Sequence, residues 1–126
     1  MVIMPTILII DSNQMFRQAL TNMICRYFPE LTVEEAQTAD EGLQKAIQDK
    51  PQLVVTDLHL NGDKCFNMIR QIALQQPEAR IAVLTDKDEE EYRQAALGQG
   101  ADYFISKSGP NGQKILSIIK MRLSGA

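Results

Sequence analysis

The stretch QLVVTDLHLNG, residues 52–62, joins a short apolar run to an acid. The run, Leu53, Val54 and Val55, is typical of a strand that is buried on both faces. It ends on a carboxylate, Asp57, with only a polar turn behind it. A buried strand that stops on an acid predicts a site at that end.

A second apolar run, TILIIDSNQ at residues 6–14, ends on an acid in the same way, at Asp11. Stretches with helical spacing follow each run, so strands and helices alternate along the chain. The first helix is predicted over residues 12–27, and Thr38 or Asp40 caps the second. The five predicted strands cover residues 7–10, 31–36, 53–56, 81–84 and 103–105.

Each predicted helix carries its apolar residues on one stripe, as helices do when they pack one face against a sheet. Strands that alternate with such helices predict a parallel sheet covered on both faces, because parallel neighbours need crossover connections. The five stripes are Phe16, Leu20, Met23 and Tyr27; Leu43, Ala46 and Ile47; Cys65, Ile69 and Ile72; Tyr92, Ala95 and Ala96; and Ile115, Ile118, Ile119 and Leu123.

Parallel sheets of this kind bind ligands outside the carboxyl ends of their strands. Taken singly, an acid, hydroxyl or lysine at a strand end has an ordinary explanation, such as a helix cap, a turn or a solvated charge. Several of them at one edge predict a functional site. The residues concerned are Asp11 and Ser12 after the first strand, Asp57 after the third, Thr85 and Asp86 after the fourth, and Lys107 after the fifth.

The 126 residues suffice for one domain, residues 1–126, and are too few for two ordinary ones. A net charge of -3 and a pI near 5.1 argue against direct binding to nucleic acid or an anionic membrane, since both need a positive field. Cys25 and Cys65 lack the spacing of a zinc or redox motif, which favours reduced, mostly buried thiols in a cytoplasmic protein. The opening MVIMPTILII lacks the basic start of a signal peptide and is too short to span a bilayer.

The segments ILIIDS, LVVTDLHLNG, IAVLT and GADYFISK carry a resemblance to a known family. Over nearly its whole length, the chain resembles the receiver domain of bacterial two-component response regulators, in the order of these segments and at about their spacing. The resemblance implies a flavodoxin-like (βα)5 three-layer α/β sandwich with strand order 2-1-3-4-5. It also implies a signalling switch rather than an enzyme.

The resemblance implies a role for several residues. Asp57 would be the phosphoacceptor, a carboxylate nucleophile that holds an aspartyl phosphate. Lys107 would pair with one phosphoryl oxygen, and the hydroxyl of Thr85 would move to bond another. Phe104, three residues before the lysine, takes the place of the switch aromatic.

The family's metal site is where the chain departs most. Mg²⁺ is implied between Asp11, Asp57 and the backbone carbonyl of His59. Receivers usually carry two adjacent acids after the first strand, and the second is replaced here by Ser12, which predicts Mg²⁺ binding weakened by at least about tenfold unless another group compensates. Asp86 replaces a residue that is usually small, and it either repels the phosphoryl group or leans inward and repairs the metal site.

Two turns also depart from the family pattern. Leu60 and Asn61 stand where a proline is common after Asp57, and Ser108 stands where a proline often follows Lys107. If the peptide bond between Lys107 and Ser108 were cis, it would cost about 3 to 4 kcal/mol to hold.

These departures leave two functions open on one fold. In the first, the domain is a phosphorylation-driven switch with reduced Mg²⁺ affinity, which the survival of Asp57, Thr85 and Lys107 favours. In the second, it is a pseudo-receiver, a protein-interaction module that works without phosphorylation. A haloacid-dehalogenase-like phosphohydrolase is disfavoured because His59 stands where a second acid is needed. A flavodoxin-like cofactor site is disfavoured because DSNQMF presents an acid to phosphate.

The resemblance implies a sensor histidine kinase as partner. It also implies that the fourth helix, fifth strand and fifth helix form the signalling face. The helix SNQMFRQAL resembles that of regulators with a helix-turn-helix output domain, which would be a C-terminal DNA-binding domain outside this chain. A homodimer, the identity of the kinase and the output are left open by the sequence.

Overall fold

The computed structural model describes residues 5–60 and 64–124, the last two without their side chains. The predictions made for Asn61 and for the side chain of Leu123 therefore lie outside the described residues. The strands are Thr6–Ile10 (β1), Thr32–Ala36 (β2), Leu53–Thr56 (β3), Arg80–Thr85 (β4) and Tyr103–Ser106 (β5). The helices are Gln14–Tyr27 (α1), Ala39–Asp49 (α2), Cys65–Gln75 (α3), Glu90–Gln99 (α4) and Asn111–Ser124 (α5).

The five strands form one parallel sheet in the order β2-β1-β3-β4-β5, which confirms the predicted topology. Ile10 and Thr56 are paired across β1 and β3, so the acids that follow them begin level with each other. The ladder continues through both acids, because Asp11 N–H donates to the carbonyl of Ala36 and Asp57 N–H donates to the carbonyl of Ile10, both at 3.0 Å. The backbone therefore fixes the two acids side by side at the switch point of the sheet.

Helices cover both faces of the sheet, as a three-layer sandwich requires. Leu20 and Ile24 of α1 pack with Ile119 of α5 on one face, and α2, α3 and α4 cover the other around Ile69 and Ile72. The central strands β1, β3 and β4 are buried on both sides, which explains their continuous apolar runs, whereas the edge strands β2 and β5 are only partly buried. Within the described residues, no helix is long and apolar enough to span a membrane.

Local signals set the helix ends. The side chain of Asn13 accepts from Phe16 N–H at 3.0 Å and begins α1, and the hydroxyl of Thr38 accepts from Glu41 N–H at 3.1 Å and begins α2. Helix α4 ends at Gln99 and is capped by Gly100, whose φ of 119° lies in the left-handed region that favours glycine.

Three positions of the predicted stripes are wrong. Tyr27 is 62% exposed, because Phe28, one residue beyond the end of α1, packs against the core in its place. Ile47 is 38% exposed at the margin of α2. Ala95 is exposed, and Leu97 packs against the core together with the predicted Tyr92. Tyr27 is the last residue of α1, and the other two errors lie next to a buried alanine, Ala46 or Ala96, where spacing alone does not decide burial.

Candidate functional site

The polar side chains at the carboxyl edge of the sheet line one cleft of about 390 Å³. All six of the residues predicted for this edge line it. The nine residues that line the cleft fall into two groups, a buried group that we call the floor and a more exposed group that we call the rim. The floor consists of Asp11, Asp57, Thr85 and Lys107, and the rim consists of Ser12, Asn13, His59, Asp86 and Lys87.

The ammonium of Lys107 joins the two acids of the floor. Its Nζ donates to Asp11 Oδ2 at 2.8 Å and to Asp57 Oδ2 at 3.2 Å, and the three side chains are only 11%, 3% and 7% exposed. Burial by itself lowers the pKa of Lys107. The hydrogen bond to Asp11 and the charges of Asp57 and Asp11 outweigh burial, so the pKa lies above the ordinary 10.5. A protonated lysine is therefore the cation that pairs both buried carboxylates.

The second oxygen of each acid is also bonded. Asp11 Oδ1 accepts from Asn13 N–H at 2.8 Å, and Asp57 Oδ1 accepts from Leu58 N–H at 2.7 Å. A carboxylate that is held at both oxygens has a fixed orientation. The floor is thus organised before any ligand binds.

Two residues of α1 that the sequence did not assign to the site also contact the floor. The ring of Phe16 faces the ammonium of Lys107, with Nζ 4.1 Å from the ring centroid. Arg17 donates from Nη1 to the carbonyl of Asp11 at 2.6 Å and from Nε to Glu35 at 3.0 Å. The spacing of apolar residues along α1 predicts that Phe16 packs in the core. It does not indicate that the ring also contacts Lys107.

The hydroxyl of Thr85 is engaged with its own loop. Its Oγ1 accepts from Lys87 N–H at 3.1 Å, and its carbonyl accepts from Lys107 N–H at 2.9 Å. The second bond extends the pairing of β4 and β5 to the base of the lysine. Movement of the Thr85 hydroxyl toward Asp57 would therefore break a bond within the loop after β4.

A serine network ties that loop to the end of β5. Ser106 Oγ donates to Asp88 Oδ2 at 2.8 Å and lies 2.7 Å from Ser108 Oγ. Ser108 occupies the position where the family often has proline, so a hydroxyl contact replaces the ring there. No peptide bond within the described residues is cis, and the bond between Lys107 and Ser108 is therefore trans.

At the rim, the hydroxyl of Ser12 donates to the backbone carbonyl of His59 at 3.3 Å. This is the carbonyl that the resemblance assigns to Mg²⁺. The side chain of His59 is exposed. Asp86 is exposed at the mouth of the cleft.

The cleft offers the type of donor atom that a hard divalent cation prefers, but it offers little negative charge for such an ion. Asp11, Asp57 and the His59 carbonyl supply the oxygen ligands that Mg²⁺ prefers. In the part of the chain that the structure describes, no three acidic, histidine or cysteine side chains are grouped to hold a metal ion. Ser12 adds only a neutral hydroxyl, and Lys107 already holds both acids. A divalent cation therefore fits as a weakly held ligand that competes with an ammonium.

The switch aromatic predicted at Phe104 lies away from this cleft. It pairs with Val83 of β4, is partly buried and packs against the core under α2, α3 and α4. It also lines a groove of about 590 Å³ between α4, β5 and α5, together with the charged residues Arg93, Asp102 and Lys114. The groove and the cleft are thus two separate surfaces.

The two cysteines differ in exposure. Cys65 is buried, and burial together with the nearby charge of Asp57 raises the pKa of its thiol to about 12. Cys25 is exposed, so the expectation of mostly buried thiols is wrong for that residue. It lies on the outer side of α1, where the helix faces solvent.

The sequence model of the response regulator receiver domain family matches residues 7–120 of this chain. The chain is 34% identical over 115 residues to the oxygen regulatory protein NreC of Staphylococcus aureus, covering 89% of this chain and 52% of that protein. It is 29% identical over 102 residues to the transcriptional activator protein ExaE of Pseudomonas putida, covering 81% and 48%. The chain thus spans about half the length of the curated relatives it matches.

A solved response regulator protein from Burkholderia pseudomallei, which contains a phosphorylated aspartic acid, a calcium ion and citrate, has a similar fold. Its TM-score is 0.81 at 29% identity, and the match covers 95% of this chain and 73% of that one. The sheet order, the paired acids at its carboxyl edge and the family match agree. The chain belongs to the response regulator receiver domain family.

Proposed function

We propose that residues 1–126 act as one receiver domain that accepts a phosphoryl group on Asp57. The observation that carries the proposal is the contact of one ammonium, Lys107, with both Asp57 and Asp11 on the floor of an open cleft. A buried acid beside a fixed cation is the arrangement that phosphoryl transfer to a carboxylate needs.

In the proposed step, a carboxylate oxygen of Asp57 attacks the phosphorus of the donor. The bond from phosphorus to the donor breaks as the new O–P bond forms, and the leaving group departs with the electron pair. The ammonium of Lys107 lies 3.2 Å from Asp57 Oδ2, within reach of an oxygen of the transferred group. Its charge stabilises the negative charge that the phosphoryl oxygens carry.

Mg²⁺ is the proposed cofactor, with Asp11, Asp57 and the His59 carbonyl as its protein ligands. When bound, it supplies positive charge beside the transferred phosphoryl group. Ser12 supports weak binding for two reasons. It brings no charge, and its hydroxyl donates to the His59 carbonyl.

The proposed switch starts at Thr85. Its hydroxyl gives up the N–H of Lys87 and bonds a phosphoryl oxygen on Asp57, which moves the loop after β4. Phe104 lies on the neighbouring strand and lines the groove between α4, β5 and α5, so it is placed to pass the change to that face. A phosphoryl group shifts such an element only through contacts that differ between its two states.

We propose a sensor histidine kinase as the donor, a cytoplasmic location, and control of transcription through a DNA-binding domain outside this chain. The name of the transcriptional activator ExaE and the greater length of the relatives support an additional output domain. A homodimer through the face of α4, β5 and α5 is part of the same proposal.

The second candidate function is a pseudo-receiver that binds partners without phosphorylation. One observation favours it: the hydroxyl of Ser12 takes the place of a metal ligand and occupies the His59 carbonyl. In that case, the groove lined by Phe104 would bind its partner with Asp57 unmodified.

The test is to trap the modified residue. The protein is incubated with acetyl phosphate and excess Mg²⁺, reduced with borohydride, which converts an aspartyl phosphate to homoserine, and digested for peptide mass analysis. We expect conversion at Asp57, none in Asp57→Asn, and conversion at Asp57 in Asp86→Asn, which removes a different acid from the same cleft. Conversion at another acid would contradict the assignment, and no conversion in the wild type would favour the pseudo-receiver.

A further inference from the structure

We infer that Phe16 is the positioning residue for Lys107. Its ring holds the ammonium between Asp11 and Asp57, and it thereby opposes the entry of a divalent cation. The inference deepens the proposed function and rests on it, because it concerns the cation site of the same cleft.

The first argument is the geometry of the ammonium. An ammonium has three N–H groups, and two of them donate to Asp11 Oδ2 and Asp57 Oδ2. The face of the Phe16 ring, with its centroid 4.1 Å from Nζ, is left for the third. This is well inside the roughly 6 Å over which a ring face attracts a cation. The cation thus has a partner in each direction.

The second argument is burial. The side chain of Lys107 is only 11% exposed, and a cation held by a ring is attracted more strongly when water is excluded. The other such pair in the described residues, Lys87 over Tyr92, has a longer distance of 5.4 Å and lies at the rim. The attraction between Lys107 and the Phe16 ring is therefore stronger than that between Lys87 and Tyr92.

The third argument is that the ring is itself held in place. Phe16 N–H donates to the side chain of Asn13, whose own N–H donates to Asp11 Oδ1. The next residue, Arg17, donates to the Asp11 carbonyl. The first turn of α1 is thus bonded to the end of β1, and the Phe16 side chain packs against the core under α1 and α5. Both contacts oppose movement of the ring with Lys107.

These contacts have a consequence for cation binding. A divalent ion between Asp11 and Asp57 competes with Nζ, because the other oxygen of each acid already accepts a backbone N–H and the positive charges repel each other. Any group that stabilises the bridging position of Lys107 therefore weakens the affinity of the site for the ion. Phe16 and Ser12 therefore both weaken the binding of a divalent ion, and the ammonium of Lys107 stays between the two acids.

The experiment compares Mg²⁺ affinity by titration calorimetry in Phe16→Leu and Phe16→Tyr. Leucine keeps the apolar contact without the ring, and we expect Mg²⁺ to bind about three- to thirtyfold more tightly. Tyrosine keeps the ring face, and we expect the wild-type affinity. Met15→Leu changes the adjacent, 81% exposed residue and serves as the matched control without effect.

If Phe16→Leu does not fold, a second variant tests the same inference. Phe16→Trp offers the cation a stronger ring and introduces the only tryptophan of the chain. We expect weaker Mg²⁺ binding than in the wild type, and a change in tryptophan emission when Mg²⁺ drives Lys107 off the ring. Unchanged affinity and unchanged emission would overturn the inference.

A metal-free readout separates this inference from the proposed function. In NMR spectra without Mg²⁺, the side-chain resonances of Lys107 should carry a ring-current shift that Phe16→Leu removes and Phe16→Tyr keeps. If the shift and the affinity change are found but Asp57 is never phosphorylated, the inference stands and the proposed function fails. If Asp57 is phosphorylated but Phe16→Leu alters neither, the inference is wrong and the function stands.

Discussion

The floor and the rim of the cleft face the same space, yet they differ in burial and in bonding. On the floor, two buried carboxylates share one ammonium and each is bonded at both oxygens. At the rim, the hydroxyl of Ser12 makes a long bond to a carbonyl, and Asp86 is exposed. The two acids of the floor are therefore held in fixed orientations, while the side chains of the rim are more exposed and less tightly bonded.

The comparison teaches which substitutions the domain can accept. A change on the floor removes a partner from a buried charge, which is costly. A change at the rim alters a solvated group, which costs little stability but alters what the cleft admits. Ser12, which stands where receivers usually carry a second acid, lies at the rim, and the floor keeps Asp57, Thr85 and Lys107.

The largest effect is expected when the floor loses its cation. Lys107→Met leaves the buried charges of Asp11 and Asp57 without a cation, and we expect the free energy of unfolding to fall by about 3–5 kcal/mol. Urea denaturation measures it. Lys87→Met at the rim, which removes a lysine beside a ring, should cost at most about 1 kcal/mol.

Removing one of the two acids sharpens this result. The double variant Lys107→Met with Asp11→Asn should recover part of the lost stability, because one buried charge disappears with the cation. A loss of equal size at Lys87 and Lys107 would show that the floor is no more tightly bonded than the rim.

The pH dependence follows from the raised pKa of Lys107. Because the folded pKa lies above the unfolded value of 10.5, the stabilisation is fully present below pH 10.5 and is lost as the pH rises through the folded pKa. The difference in unfolding free energy between wild type and Lys107→Met should therefore stay constant at neutral pH and shrink only above 10.5. A difference that shrinks between pH 6 and 9, about the range in which histidine and thiols titrate, would contradict this.

A smaller effect is expected from restoring the rim ligand. Ser12→Asp adds a charged ligand, and Mg²⁺ affinity by calorimetry should rise by about tenfold or more. Ser12→Ala is the matched control, since it frees the His59 carbonyl without adding charge and should raise the affinity less. Equal gains in both variants would assign the weak binding to the hydrogen bond of Ser12 rather than to the missing charge.

The smallest effect is expected at Asp86. Its carboxylate is exposed at the mouth of the cleft, so it repels an anionic donor only through water. Asp86→Asn should speed labelling by acetyl phosphate by about two- to threefold at low salt, and the gain should vanish at high salt. Slower labelling would instead mean that Asp86 helps to bind the cation.

The floor was predictable because it follows from strand ends. Parallel strands bring Asp11, Asp57, Thr85 and Lys107 to one edge whatever the details of the loops. Phe16 was not predictable as a site residue, because its spacing on α1 is that of a core residue and the cation contact depends on where Lys107 turns. The contact of Ser12 with the His59 carbonyl depends likewise on the path of two loops.

The most direct test of the division between floor and rim is the rate of Asp57 phosphorylation by acetyl phosphate across a Mg²⁺ series, measured by intact mass in wild type and Ser12→Asp. We predict the same maximal rate in both proteins, with the wild type needing about tenfold or more Mg²⁺ to reach it. An unmodified wild type at saturating Mg²⁺, beside a labelled Ser12→Asp, would contradict the account, because the rim would then be required for the transfer itself.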